Sequence, residues 1–365
     1  MTRLLHVAAA LLVGGVVASD RILGFEASPV AETRSLDEIY EAAKKEGGAV
    51  TLWHGGDEEH MVDFIKQEFE TRFPDLKLNL TVDLSKYHSS RIDEQLAKSS
   101  VYVDSVILQT LHDYPRWAQQ GALLNYAPQG FDQIHSGFKD TTSASYYGLE
   151  IFYWTNVWNP QRLPNADFDT FDEYLKPEYK DKLVFTYPND DDAILFAFNL
   201  VMQRKGTAWF DALLAQNPRW VRGTNTPLTL VQRDNETVSA TFGVYTPLSG
   251  AKGVNNSFPT DADFVSWPQM GAILKDAPHP ESAKLLHNFM LSPDFQKKLG
   301  WSVRMDMDAP EGFRKIMDTN HTNPLAFASF MADRVTVERL RFWFESRLGT
   351  AQGESPLTDA IVPPQ

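Results

Sequence analysis

The 365-residue chain contains no cysteine. That excludes disulfides, a thiol nucleophile and thiolate-bound zinc. Stability must come from a buried core, which a chain of this length can build. Clustered positive charge is also missing. Lys and Arg number 34 against 48 Asp and Glu, a formal charge of −14. No basic stripe is present, so no nucleic-acid partner is expected, and docking on anionic lipid is disfavoured. Long apolar runs are absent apart from residues 4–18, which are too few to span a bilayer. No Gly-x-Ser-x-Gly elbow, His-Glu-x-x-His pair or phosphate-binding glycine loop occurs, and no internal repeat is seen. No cofactor and no catalytic group are expected.

What is present begins at the N-terminus. Arg3, the apolar run 4–18 and the small Ser19 have the order of a secretory signal peptide, assigned to residues 1–19. The mature chain is expected to be secreted, or periplasmic in a bacterium. Asn79, Asn235, Asn255 and Asn320 each head an Asn-x-Ser/Thr sequon, which suits an extracellular glycoprotein. The acidic balance suits a soluble monomer and is compatible with a cationic ligand.

Residues 20–35 read as a lead-in. Ser35 and Glu38 form a capping-box pattern opening a helix that runs to about residue 45, and Gly47-Gly48 stop it. Strands are expected at 49–53, 76–82 and 103–108, with helices at 58–73, 87–98 and 114–120 between and after them. Alternation of this kind predicts a parallel sheet covered by helices. Ligands bind such sheets beyond the carboxyl ends of the strands. Here those ends are His54-Gly55-Gly56-Asp57 and Gln109-Thr110. Further on, strands are expected at 146–156, 182–187, 238–245, 263–268 and 271–274. Helices are expected at 193–205, 209–216, 228–233, 280–291, 293–299, 312–318, 324–331 and 334–348. Residues 349–365 read as a flexible tail.

The segments Val50–Trp53, Gly55-Gly56-Asp57-Glu58, the helix 64–73 and Pro74–Leu78 resemble the opening of type II periplasmic solute-binding proteins. The branch they resemble serves ferric iron, thiamine and polyamine ABC importers. Val103-Asp104-Ser105-Val106 resembles its third strand, and residues 264–286 resemble its return from the second lobe to the first. The likeness spans residues 45–345. It implies an α/β fold of two lobes, each a mixed sheet flanked by helices, joined by crossover strands. Lobe one would hold 20–125 plus 263–300, and lobe two 126–262 plus 301–348. A small-molecule or metal ligand would bind between them by hinge closure, and a membrane transporter is the partner this kinship suggests. The secreted setting points to a fungal-type member.

Candidate ligand residues are His54, Gly56 and Asp57, at the end of the first strand, and Gln109, at the end of the third. Asp190 opens an Asp190-Asp191-Asp192 run before a helix. Asp191 and Asp192 read more simply as a cap and a dipole complement. Tyr147, Tyr245 and Trp267, with Trp154, are aromatics able to stack on a cation. Ferric relatives hold iron through paired tyrosines. Only Tyr245 stands at that place here, and Gln109 stands where they have a carboxylate, so the iron pattern is broken and the metal is left open. The leading reading is capture of a cationic nutrient or a metal complex. The alternatives are a secreted interaction protein with vestigial binding, or an enzyme on the same fold.

Overall fold

The computed structural model describes residues 29–353 and 355–357. The expected signal peptide, residues 20–28 of the lead-in and the last residues of the tail lie outside them. The first half contains α1 (Leu36–Lys45), β1 (Ala49–Gly55), α2 (Asp63–Arg72), β2 (Lys77–Asp83), α3 (Ser85–Ala97), β3 (Ser105–Leu108) and α4 (Asp113–Gln119). Next come β4 (Tyr147–Tyr153), β5 (Thr155–Trp158), β6 (Val184–Thr186), α5 (Asp192–Lys205), α6 (Thr207–Ala215), β7 (Arg219–Val221) and α7 (Asn225–Gln232). The chain ends with β8 (Ala240–Val244), β9 (Asn255–Ser257), β10 (Ser266–Ile273), α8 (Pro280–Leu291), α9 (Pro293–Gln296), α10 (Ala326–Ala332) and α11 (Arg334–Leu348).

Local signals account for several boundaries. Ser35 accepts from the Glu38 N–H while the Glu38 carboxylate accepts from the Ser35 N–H, closing the capping box of α1 and satisfying two amides that the helix cannot. The expected helix 58–73 starts only at Asp63, because Asp57 is drawn away to the opposite lobe instead of capping it. The expected helix 312–318 is a single 3-10 turn, Ile316–Asp318.

Two lobes result. In the first, β2, β1 and β3 run parallel. β10 lies antiparallel beside β3, and β4 antiparallel beside β10. The expected strands 263–268 and 271–274 are one strand with a bulge between Gln269 and Met270. In the second lobe β5 lies between β8 and β9, antiparallel to both. β6 and β7 are parallel, and a bridge between Leu183 and Ala240 ties this pair to β8. The expected strand 146–156 is broken at Trp154. β4 belongs to one sheet and β5 to the other, and between them the Trp154 N–H bonds to the returning chain at Val265.

That break marks the crossing between lobes. Residues 126–153, which the sequence reading put in lobe two, pack on the first sheet. Ala127 bridges to Ala31, Ile134 bridges to Arg304, and β4 is that sheet's edge. Val303 and Ile316 are likewise buried in the first lobe's core, while α10 and α11 bury Phe327, Met331 and Phe344 in the second. The boundary that the resemblance implies at residue 125 falls short, since the chain keeps building on the same sheet as far as Tyr153. The second core is aromatic: Phe198 lies 4.9 Å from Phe242 and 5.6 Å from Phe344, ring centre to ring centre. Each such side chain stabilises by about 1.5–3 kcal/mol when buried, which anchors α11. The tail residues that can be described also pack. Gly349 and Gly353 carbonyls accept from Asn189 and Arg222, and Pro356 is buried beside Gly223.

Candidate binding cleft

The carboxyl ends of β1 and β3 face the second lobe. Gly55-Gly56-Asp57 and Gln109-Thr110 form one wall of a cavity of about 60 Å³, and Asp190-Asp191-Asp192 with Gly223-Thr224 form the opposite wall. Phe152, Trp154 and Trp267 close the side toward the crossovers. A Cβ at Gly56 would stand 2.2 Å from the Met61 sulfur and 2.9 Å from Val82 Cγ1, so a larger residue there would displace the Met61 side chain from the cavity wall. A larger chamber of about 280 Å³ adjoins the first. The two share Asp57, Met61, Phe152, Trp154 and Thr224. The larger one adds Phe64, Glu150 and Tyr245.

The three consecutive aspartates have three different fates. Asp190 accepts from Lys86 Nζ at 2.6 Å and from Arg222 Nε at 2.8 Å. Burial raises its pKa, but the Arg222 hydrogen bond and the Lys86 charge outweigh that and hold it below the usual carboxylate range. Asp192 pairs with Arg341 of α11. Asp191 caps α5 by accepting from the Ile194 N–H at 2.8 Å. Among the described residues no cation forms an ion pair with it, and the Gln109 amide donates to it at 3.5 Å. Burial pushes its carboxyl up to about 7, against the pull of the Ile194 bond, with the charges of Asp192 and Asp57 adding to the rise and that of Lys86 opposing it. Asp57 reaches across the cleft and accepts from the Thr224 N–H, the Thr224 hydroxyl and the Asn225 N–H. Burial raises its pKa more than these bonds lower it. The cleft therefore holds a buried carboxyl, Asp57, and a half-buried one, Asp191, that form no ion pair among the described residues, beside three aromatic walls.

Of the residues singled out from sequence, Gly56, Asp57, Gln109, Asp190 and Trp267 line the smaller cavity, and Tyr245 lines the larger. His54 and Tyr147 do not face either. His54 is fully buried and its Nε2 lies 3.1 Å from Glu150 Oε2. Tyr147 lies inside the first lobe, its hydroxyl 2.8 Å from His287 Nδ1, with His287 Nε2 2.6 Å from Ser105 Oγ. Both belong to strands buried on both faces, where no polar alternation tells which way a side chain points. The sequence reading missed Lys86, Phe152, Thr224 and Glu150. Glu150 alone carried a signal: it is the one charged residue between Tyr146 and Trp158. Among the described residues no group of three His, Asp or Glu side chains is placed to hold a metal ion.

Residues 109–304 match the family of bacterial extracellular solute-binding proteins. No curated protein matches the chain by sequence. Solved structures with the same fold include iron-bound HitA from Pseudomonas aeruginosa. It is 16% identical with a TM-score of 0.58, and the match covers 80% of this chain and 99% of that one. AfuA from Actinobacillus pleuropneumoniae, with fructose-6-phosphate bound, is 17% identical with a TM-score of 0.64, covering 84% and 100%. A putative spermidine/putrescine ABC transporter protein from Listeria monocytogenes is 15% identical with a TM-score of 0.56, covering 82% and 100%.

Proposed function

Because the chain belongs to the bacterial extracellular solute-binding proteins, we propose that the solute it captures is a small organic cation, held in the interlobe cleft without chemical conversion. The observation that carries this is the pair of cleft carboxyls, buried Asp57 and half-buried Asp191, which form no ion pair among the described residues and lie next to Phe152, Trp154 and Trp267. Burying a carboxylate is costly until an opposite charge joins it. A ligand ammonium supplies that charge, and the aromatic faces attract it further. An anion would meet two carboxyls, while the described cations around the cleft are engaged elsewhere, Lys86 and Arg222 by Asp190 and Lys298 by Glu68. The fold is shared with proteins described as iron-bound, fructose-6-phosphate-bound and spermidine/putrescine-related. Of these chemistries, the last agrees with this cleft. A membrane importer that accepts the loaded protein, and a monomeric state, complete the reading.

The test is a thermal-shift and calorimetric panel of alkylamines, thiamine, sugar phosphates, neutral sugars and ferric citrate. Ammonium compounds should give a saturable rise in apparent stability, about 2.7 kcal/mol at a hundredfold excess over Kd. A saturable response to sugar phosphate or ferric citrate alone would replace the cation with that chemistry.

A further inference from the structure

We propose that Glu150 is the second anchor of a two-point ligand site, so that the solute carries two hydrogen-bond-donating groups separated by an apolar body, as in an α,ω-diamine. This deepens the cation reading above and rests on it. Glu150 lies in β4, buried and only 4% exposed. One of its carboxylate oxygens, Oε2, is bound by His54 Nε2. Its other oxygen, Oε1, is buried and has no hydrogen-bond partner among the described residues. The residue lines the larger chamber, whose remaining surface is largely apolar: Met61, Phe64, Ile151, Phe152 and Trp154, with Tyr245.

A buried acceptor with no donor is rare in a folded protein and calls for a partner. His54 cannot serve Oε1, since its facing nitrogen already serves Oε2. The two chambers are fused through Asp57, Met61, Phe152, Trp154 and Thr224. One molecule can therefore place an ammonium by Asp57 and Asp191, lay its body along Phe152 and Trp154, and present an N–H to Glu150 Oε1. A monofunctional cation would fill the smaller cavity and leave the larger chamber's carboxylate unanswered.

Calorimetry on the full mature chain with paired probes, primary alkylamines and α,ω-diamines of three to eight carbons, tests this. At the best length the diamine should bind about tenfold or more tighter than its monoamine, the effect of one charge-assisted hydrogen bond. Glu150→Gln should erase that advantage, bringing the diamine Kd to that of the matched monoamine. Glu150→Asp keeps the charge on a shorter stem and should move the optimum to a longer diamine, so a poorly folded Glu150→Gln protein would not decide the matter. If monoamines bind and diamines bind no better, the two-point site is wrong while the cation reading stands. If no amine binds, both fall.

Discussion

Lys86 and Asp190 meet across the cleft, with Lys86 Nζ 2.6 Å from Asp190 Oδ1 and 2.6 Å from its carbonyl oxygen. Lys86 belongs to α3 of the first lobe and Asp190 to the turn before α5 of the second. Arg222 holds the other carboxylate oxygen and also donates to the Tyr87 hydroxyl at 3.0 Å. Asp190, expected from sequence to face the ligand, is thus gripped by a cation from each lobe and acts as a clasp.

Breaking the clasp should favour the open form. Lys86→Met is expected to raise the radius of gyration seen by small-angle scattering of the unliganded protein. It should also weaken amine binding by about tenfold, because the competent closed state is then populated less. An unchanged radius and Kd would show that the pair contributes nothing to closure.

Asp191 sets the pH dependence. Its carboxyl sits near pH 7 when folded, against 3.8 as a free side chain. Between those values the unfolded chain has lost the proton and the folded protein retains it, so this group lowers stability as pH rises from about 4 to about 7. Cation binding needs the ionised form, so Kd should tighten up to pH 7 and then level off, with proton uptake by buffer on binding at pH 6. Asp191→Asn keeps the helix cap. It should raise the Tm of the unliganded protein at pH 8 and weaken amine binding by about 100-fold, as expected for deleting a buried charge partner.

Arg341 keeps a third carboxylate quiet. It pairs with Asp192 in the first turn of α5. Arg341→Leu would leave that buried charge unpaired, costing about 2 kcal/mol of stability in a chemical denaturation. The same change should tighten amine binding, since Asp192 also lines the cavity. A variant less stable but unchanged in Kd would mean that Asp192 is too far from the ligand to matter.

Tyr147 serves the core. Tyr147→Phe removes the hydrogen-bond partner of His287 Nδ1 and should cost about 1–3 kcal/mol with no change in ligand affinity. His287 is buried and its pKa is pushed down to about 3 by loss of solvent. It stays neutral when folded but charges when unfolded, so it removes stability as pH falls below 6.5, and His88, pushed down to about 4 by burial, does the same.

The scaffold was readable because its signals are local. The capping box at Ser35 and Glu38, the glycine stop at Gly47-Gly48 and the β-α alternation each depend on a few neighbouring residues, and the family likeness of residues 264–286 located the return strand. The cleft was readable only in part. Asp57 and Gln109 stand at strand ends, where topology alone aims them. His54 and Tyr147 lie in strands covered on both faces, so their direction depends on packing partners more than ninety residues away: Glu150 for one and His287 for the other. The break at Trp154 was hidden because β4 and β5 share one unbroken aromatic and β-branched composition across two sheets.

The position of β10 carries a consequence for how the molecule comes into being. This strand sits inside the first sheet, between β3 and β4, yet it is made only after the whole stretch from β5 to β9. A chain emerging N-terminus first can form β1, β2 and β3 early, but β3 must wait about 160 residues for its other neighbour. Long-range pairing of this kind slows folding and leaves an unpaired strand edge during synthesis. The second lobe gathers its strands from one continuous stretch, but its core takes Phe327, Met331 and Phe344 from α10 and α11, whereas the first lobe's core is complete with Ile316. The first lobe is therefore expected to acquire protease resistance first in a stalled-ribosome or pulse-labelling experiment, with the second following once Phe344 has been released.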